Sequence, residues 1–179
     1  WLWRKSPQRI EAESIRDSIL KISGQLNSQV GGQGYQDVKS YFFKGTQFYE
    51  PLDPTGEEFN RRSIYRFSAR GGRHPLLETF DCPDPSTTTP DRPSTTTPLQ
   101  ALSLMNTSFV LRMSDQLAER IQSRVGSEEE KQVAELFLLA YQRHPQSAES
   151  AAACEFCEKH GLSALCRVVL NSNEFLYVN

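Results

Sequence analysis

A helical pattern of apolar residues stands near the start of the chain. The apolar positions recur at i, i+4, i+7 and i+11, which places them on one face of an amphipathic helix. These residues are Ile15, Ile19, Ile22 and Leu26. Ser6-Pro7 is a helix start signal, and Gly24 is a residue type that commonly ends a helix. The pattern predicts a first helix that begins after Pro7 and ends near Gly24.

The second half of the chain carries helical patterns with their own start signals. Residues 97–100, Thr-Pro-Leu-Gln, have the spacing of a capping box, and the helix that they begin is expected to break at 106–108. A second capping box, Ser127 with Glu130, precedes another helix, which Pro145 stops. Apolar residues at helical spacing predict four helices after residue 108, over 109–125, 133–141, 148–159 and 162–170.

Alternating side chains predict one strand, over residues 62–70. Within it Tyr65, Phe67 and Ala69 alternate with polar residues, which is the two-residue period of a half-buried strand. The aromatic segment at 41–49 is expected to supply the partner strand.

A segment rich in proline and threonine separates the two halves of the chain. The sequence Pro-Ser-Thr-Thr-Thr-Pro occurs twice between residues 83 and 98, which predicts an extended surface loop. We therefore predict a single domain, with a helix and short strands in 1–80, a loop in 81–98 and a helical bundle in 98–179. The predicted fold class is mainly α, a bundle of about five to six helices with a small β-hairpin or short antiparallel sheet near residues 41–70.

Length and charge exclude some classes of protein. With 179 residues the chain has the size of one domain or of two small ones. Its net charge of −2 argues against a strongly basic nucleic-acid-binding protein. No apolar run reaches the ~18 residues of a membrane span. Because the chain opens on Trp1 and Trp3 without an initiator Met, we expect it to be part of a longer protein.

The cysteines raise the question of haem, metal or disulfide chemistry. Cys154 and Cys157 have the CxxC spacing, but Glu158 follows where covalent haem attachment needs His, so we expect no cofactor in this domain. Together with His160 and Cys166, these two cysteines have the residue types of a four-ligand zinc site. We favour buried thiols in an Ala-rich helix and no metal site. Spacing leaves open any disulfide pairing among Cys82, Cys154, Cys157 and Cys166.

Two other features have simple structural interpretations. The glycine-rich loop at 31–34 can present backbone amides to an anion, but it lacks the ending of a P-loop and is predicted to be a flexible turn. His74, His144 and His160 stand at turn and cap positions, with no nucleophile motif beside them. The catalytic residues of any enzyme activity therefore stay unknown.

Charged residues concentrate in the first helix and around the predicted strand. The candidate site is this polar cluster, which consists of Glu11, Glu13, Arg16, Asp17, Arg61, Arg62, Glu78, Asp81 and Asp84. If the strand packs on the helix, guanidinium groups can pair with carboxylates as a structural clamp. The alternative is a carboxylate-lined cleft for acid–base chemistry or cation binding. On the clamp interpretation, Arg62→Ala lowers stability by several kcal/mol if the pair is buried.

The motifs in combination resemble a known family. The resemblance covers nearly the whole chain and rests on segments at 9–13 (RIEAE), 15–17 (IRD), 23–26 (SGQL), 61–65 (RRSIY), 78–81 (ETFD), 94–102 (STTTPLQAL) and 170–177 (LNSNEFLY). These segments resemble the planctomycete-specific PSD-one domain, domain of unknown function fifteen-fifty-three. The resemblance implies the C-terminal domain of an exported protein that often carries a cytochrome c domain upstream, and hence a periplasmic or secreted location. It supplies no catalytic residues.

Two functions follow as hypotheses. The first is an accessory or protein-interaction domain of an extracytoplasmic multidomain protein, without catalysis of its own and with other domains of the parent chain as partners. The second is a carbohydrate-handling or hydrolytic module that uses a carboxylate and arginine cleft, with a polysaccharide as partner. Aromatic residues that could stack on sugar rings are Trp1, Trp3, Tyr35, Tyr41 and Tyr49.

Overall fold

The computed structural model describes residues 6–178, so Trp1 and Trp3 lie outside the described residues. Within this range there are eight α-helices: α1 (Ala12–Ser23), α2 (Pro75–Thr79), α3 (Pro98–Asn106), α4 (Ser108–Val125), α5 (Glu129–Tyr141), α6 (Ser147–His160), α7 (Leu162–Leu170) and α8 (Asn173–Leu176). Short strands form two antiparallel pairs, β1 (Gln8–Arg9) with β4 (Tyr177–Val178) and β2 (Val38–Phe43) with β3 (Thr46–Pro51). The predicted fold class, mainly α with a small hairpin, is confirmed.

Helix α1 has the buried face that the sequence predicts, but it does not begin directly after Pro7. The chain ahead of it is extended because β1 pairs with β4 and the Ile10 amide donates to the Leu176 carbonyl at 2.9 Å. Ile15 and Ile19 are fully buried on α1. The helix ends as predicted, since the residue after it, the glycine at 24, adopts a left-handed φ of 79°.

Two hydrophobic clusters lie side by side and share packing against Ile22, Ala140 and Tyr141. The first cluster joins α1, α2, α3, the start of α4 and the chain end. The second joins the rest of α4 to α5, α6 and α7. In the described part of the chain, no helix combines the length and apolar character needed to cross a bilayer.

The start signals in the second half are partly correct. Helix α3 begins as predicted, and the Gln100 side chain accepts a hydrogen bond from the Thr97 amide at 3.2 Å. The predicted break falls at Thr107, between α3 and α4. The capping box predicted at Ser127 is wrong, because Glu128 is the N-cap of α5 and makes no side-chain cap hydrogen bond.

The predicted strand at 62–70 is wrong. Ser63–Tyr65 form a 3₁₀ turn instead, because Asp17 on α1 accepts hydrogen bonds from the amide (2.8 Å) and hydroxyl (2.7 Å) of the serine that begins the turn. Beyond the turn, an isolated parallel bridge joins Arg66 to Tyr35. A side-chain contact from α1 thus overrides the alternating pattern.

The aromatic segment pairs with itself, in the hairpin β2–β3. Lys44 and Gly45 have φ angles of 47° and 81°, the left-handed conformations that a two-residue hairpin turn of type I′ requires. Tyr41 stands opposite Phe48 in the register, and their rings stack at 5.6 Å. The partner of β2 is therefore β3, the strand that follows it directly in the chain, and not residues 62–70.

Candidate functional site

The structure divides the predicted polar cluster among separate contacts. Glu11, Glu13, Asp17 and Arg62 line one open groove of about 400 Å³, whereas the other five members do not line it. Five of the six carboxylates lie within salt-bridge distance of arginines outside the predicted set, which are Arg9, Arg73 and Arg92.

Arg16 lies in the buried face of α1 and donates mainly to the backbone. Its guanidinium donates to the carbonyls of Phe59 (2.6 Å) and Arg61 (2.9 Å) and to the hydroxyl of Ser63 (3.3 Å). The Asp17 carboxylate is 3.8 Å from the guanidinium, beyond hydrogen-bond distance. Arg16 therefore joins α1 to residues 59–63 through carbonyl and hydroxyl oxygens and not through a bidentate carboxylate pair.

Arg61 is a second buried arginine, and it fastens the glycine-rich loop. Its guanidinium donates to the carbonyls of Gln33 and Gly31, both at 2.5 Å, and of Gln29 at 3.2 Å. Its other contact is the ring of Tyr65, 4.0 Å from the guanidinium carbon. Because these carbonyls face a cation, the loop is held by Arg61 and is neither a free turn nor an anion cradle.

Asp17 fixes the 3₁₀ turn, and Arg62 contributes little to that contact. The Arg62 side chain is 62% exposed, and its Nε atom is 3.5 Å from the Asp17 carboxylate. The sequence predicted that Arg62→Ala would lower the free energy of unfolding by several kcal/mol if its ion pair were buried. Because Arg62 is exposed, we now expect that free energy to change by no more than about 0.5 kcal/mol.

Arg92 fastens the Pro- and Thr-rich loop to α1. Its guanidinium donates to both carboxylate oxygens of Glu13, at 2.9 and 3.0 Å, and lies 3.3 Å from Glu11. Burial raises the pKa of Glu13, but the hydrogen bond and charge of Arg92 outweigh it, so the pKa is lowered overall. The thiol of Cys82 lies 3.6 Å from the same carboxylate.

Asp81 joins the same loop to β1. It accepts hydrogen bonds from Arg9 (2.6 Å) and from the Thr95 amide (2.8 Å), while Arg9 also donates to the Thr95 carbonyl (2.6 Å). Although burial raises the pKa of Asp81, these donors lower it overall. Sequence reasoning missed Arg9 and Thr95 as partners because neither lies near Asp81 in the chain.

Glu78 and Asp84 share one exposed arginine. Arg73 forms an ion pair with Glu78 and donates to Asp84 at 2.7 Å. The pKa of Asp84 is lowered, first by the Ser86 amide and then by Arg73. Both carboxylates are thus held at the surface, Glu78 within α2 and Asp84 in the chain that follows this helix.

A buried ion pair that the sequence did not indicate lies beneath the hairpin. Asp37 accepts a hydrogen bond from the Arg66 Nε atom at 2.7 Å, and their side chains are only 6% and 7% exposed. The His74 Nε2 atom is 3.7 Å from the same carboxylate oxygen. The two partners are 29 residues apart in the chain, so local patterns carry no signal of their contact.

His74 links this ion pair to α2. Its Nδ1 atom accepts the Leu77 amide at 3.4 Å, which confirms the predicted cap position. Burial lowers the pKa of His74 to about 4, opposed by Asp37 and assisted by Arg66. A neutral imidazole with Nδ1 as acceptor carries its proton on Nε2, toward Asp37.

We expect the free energy of unfolding to fall as the pH drops from 6.5 toward 4, because of His74. The unfolded chain binds a proton at this histidine near pH 6.5, while the folded chain stays neutral until about pH 4. The unfolded state therefore binds more protons in this interval, and stability rises with pH. In His74→Asn, which keeps a cap acceptor but does not titrate, urea unfolding should show a pH dependence smaller by on the order of 2 kcal/mol.

The matched control for this titration is His144→Asn, at an exposed histidine. It should retain the pH dependence of the unsubstituted protein. An undiminished pH dependence in His74→Asn would contradict the assignment to His74.

All four cysteines are free thiols. Cys157 and Cys166 are buried in the second hydrophobic cluster, in agreement with the buried-thiol interpretation for these two residues. Burial raises the pKa of Cys82 and of Cys157 to about 11 in each case, so both stay protonated near neutral pH. Within residues 6–178 no group of three or more His, Cys, Asp or Glu side chains is arranged to hold a metal ion.

Comparison with known proteins identifies a family for this mainly helical chain. Residues 1–157 match the family model PSD1, described as a protein of unknown function (DUF1553). The search of curated proteins and the search of solved structures found no match. Because the match covers well over half of the 179 residues, the chain belongs to the PSD1 (DUF1553) family.

Proposed function

We propose that this chain is an accessory domain that docks other domains of a longer parent protein. The observation that carries the proposal is the outer face of the hairpin β2–β3. On that face Tyr41, Phe43 and Phe48 are 48%, 56% and 41% exposed. Contiguous exposed aromatic side chains of this kind mark interaction sites more often than isolated apolar residues do.

The hairpin is anchored at its base and projects its aromatic end. Val38, the first residue of β2, is buried, whereas Phe42 near the turn is 71% exposed. The paired rings of Tyr41 and Phe48 keep the outer face ordered. A rigid aromatic face loses little conformational entropy when it is covered, which favours docking.

The polar cluster supports the same function, because its members hold the domain together. Arg16 and Arg61 bind backbone carbonyls, and Glu13 and Asp81 fasten the Pro- and Thr-rich loop. A hydrolytic cleft at this cluster has less support, since acid–base catalysis needs carboxylates free to face a reactant.

The cellular context rests on the family resemblance. The proposal includes a planctomycete protein that is exported, has this domain at its C-terminal end and carries a cytochrome c domain upstream. In that setting the hairpin contacts neighbouring domains of the parent chain and fixes their arrangement.

Hydroxyl-radical footprinting read by mass spectrometry tests the docking proposal. Oxidation of Tyr41, Phe43 and Phe48 should be several-fold slower in the parent chain than in the isolated 179-residue chain. Tyr177, which lies outside the hairpin, serves as the internal reference. Equal oxidation rates at the hairpin aromatics in both proteins would overturn the proposal.

A triple substitution of the three outer-face aromatics by Thr provides a second test. Threonine keeps β propensity, so the domain should stay folded while the parent chain becomes less compact in small-angle scattering. The matched control is Val168→Thr, which removes an equally exposed apolar residue from α7. The control should leave the scattering profile of the parent chain unchanged.

A further inference from the structure

Residues 85–90 and 93–98 have the same sequence, Pro-Ser-Thr-Thr-Thr-Pro, but the structure holds these two copies differently. Both lie in the Pro- and Thr-rich loop, and every residue of each copy is exposed. We refer to 85–90 as the first copy and to 93–98 as the second copy. Because their composition is the same, a difference in the availability of their hydroxyl groups comes from tertiary contacts.

The second copy is bound to the rest of the domain. The Thr95 hydroxyl lies 2.9 and 3.0 Å from the two carboxylate oxygens of Asp81, and the Thr95 amide donates to the same carboxylate at 2.8 Å. The Thr96 hydroxyl shares a hydrogen bond of 3.1 Å with the Tyr177 hydroxyl. Thr97 is the N-cap residue of α3. Two of the three threonine hydroxyls in this copy are therefore already occupied.

The first copy is held at its start. The amides of Ser86 and Thr87 donate to Asp84, at 2.8 Å to its carboxylate and at 3.2 Å to its carbonyl. The hydroxyl groups of Thr87, Thr88 and Thr89 form no hydrogen bond with any of residues 6–178. Thr88 and Thr89 belong to no helix or strand. Three adjacent threonine hydroxyls are thus available on an exposed, irregular segment.

We propose that the first copy carries O-linked neutral sugars on at least one of Thr87, Thr88 and Thr89, and that Thr95 and Thr96 stay unmodified. Segments rich in threonine and serine with proline are typical of O-glycosylated chains. Within the described part of the chain, neither hydrophobic cluster contains a residue of 85–90, so the fold can accept the bulk of a sugar there. On the second copy the same sugar would displace hydrogen-bond partners that hold the loop to the domain.

The modification is a group transfer that needs an activated sugar and an enzyme of the cell that makes the protein. The donor is a sugar whose anomeric carbon is bonded to a phosphate group. The threonine oxygen forms a bond to that carbon, and the bond from the carbon to the phosphate oxygen breaks. The hydroxyl proton passes to a base of the enzyme. The products are the glycosylated threonine and the released phosphate carrier, so neither an oxidant nor a reductant is required.

A neutral sugar suits the charges around the first copy better than a phosphate group does. Asp84 precedes the three threonines and Asp91 follows them, so a phosphate would meet like charge on both sides. Two arginines in or against the loop are already paired, Arg73 with Asp84 and Arg92 with Glu13. A sugar adds no charge and needs no arginine partner.

Mass spectrometry of the protein purified from its natural source tests the modification. Endoproteinase Asp-N cuts before aspartates and releases the first copy within residues 84–90 and the second within 91–114. Fragmentation that keeps sugars attached then assigns each sugar to a residue. The threonines of 84–90 should carry one or more hexose or N-acetylhexosamine units. Their occupancy should be at least about 10-fold above that of Thr95, which would first have to break two hydrogen bonds.

Two triple variants made in the natural source test the assignment to threonine. Thr87→Ala/Thr88→Ala/Thr89→Ala should leave the fragment 84–90 unmodified. The matched control, Thr87→Ser/Thr88→Ser/Thr89→Ser, should keep the sugars because serine retains the acceptor hydroxyl. All three positions are exposed, so both variants should fold like the unsubstituted protein.

Other outcomes would refute the proposal. One is an unmodified fragment 84–90 in the protein from its natural source, and another is a phosphate group on that fragment in place of a sugar. Equal occupancy of Thr88 and Thr95 would show that tertiary contacts do not select the site. Sugars that persist on 84–90 in the alanine variant would contradict the assignment to the three threonines.

Discussion

Replacing Arg66 by Met should lower the free energy of unfolding by about 3–5 kcal/mol. The substitution keeps most of the side-chain volume but leaves Asp37 as an unpaired carboxylate whose side chain is only 6% exposed. The Asp37 Oδ1 atom already has no partner within the described residues. Urea unfolding at neutral pH measures the change.

The same mechanism makes a second prediction for a double variant. Removing the stranded charge through Asp37→Asn together with Arg66→Met should restore part of the lost stability, because no buried ion is left unpaired. Arg62→Met is the matched control, since it removes a guanidinium that is 62% exposed, and should change stability by about 0.5 kcal/mol or less. A loss in Arg66→Met no greater than in Arg62→Met would show that the Asp37–Arg66 pair contributes little.

Arg16→Lys should destabilise the domain by about 2–3 kcal/mol even though the charge is kept. The planar guanidinium reaches the Phe59 and Arg61 carbonyls and the Ser63 hydroxyl at once. Its central carbon also lies 5.4 Å from the ring centroid of Tyr35 and 5.6 Å from that of Phe109. The ammonium group of lysine has neither the planar set of N–H donors nor the flat face that these contacts use.

The readout for Arg16→Lys combines stability with local protection. Amide hydrogen exchange should increase at residues 59–65, which Arg16 and Asp17 hold against α1. Arg124→Lys is the matched control, because Arg124 on α4 is 49% exposed and pairs with Glu135. If Arg16→Lys had the same free energy of unfolding as the control, a structural role for the Arg16 guanidinium would be contradicted.

The elements predicted correctly are those that neighbouring residues determine. The apolar stripe that buries Ile15 and Ile19, the left-handed glycine that ends α1 and the start of α3 at Pro98 all depend on residues within one or two turns. The helical patterns of the second half also gave α6 and α7 close to their observed bounds.

The errors lie where a distant residue competes with a local pattern. The alternation at 62–70 predicts a strand, but Asp17 holds Ser63 in a 3₁₀ turn, 46 residues away along the chain. The aromatic segment did not pair with 62–70. Lys44 and Gly45 allow a tight turn, so β2 pairs with β3, the strand that follows it directly.

By itself the sequence determined the mainly helical class, most helix ends and the family resemblance, because each is encoded in periodicity, caps and motifs that are read locally. Tertiary structure alone decided which charges are buried and what they bind. Arg16 and Arg61 bind carbonyls, and Asp37, Arg66 and His74 meet beneath the hairpin, only because the chain brings distant segments together. A buried charge must find its partners wherever packing places them, and no spacing in the sequence records that position.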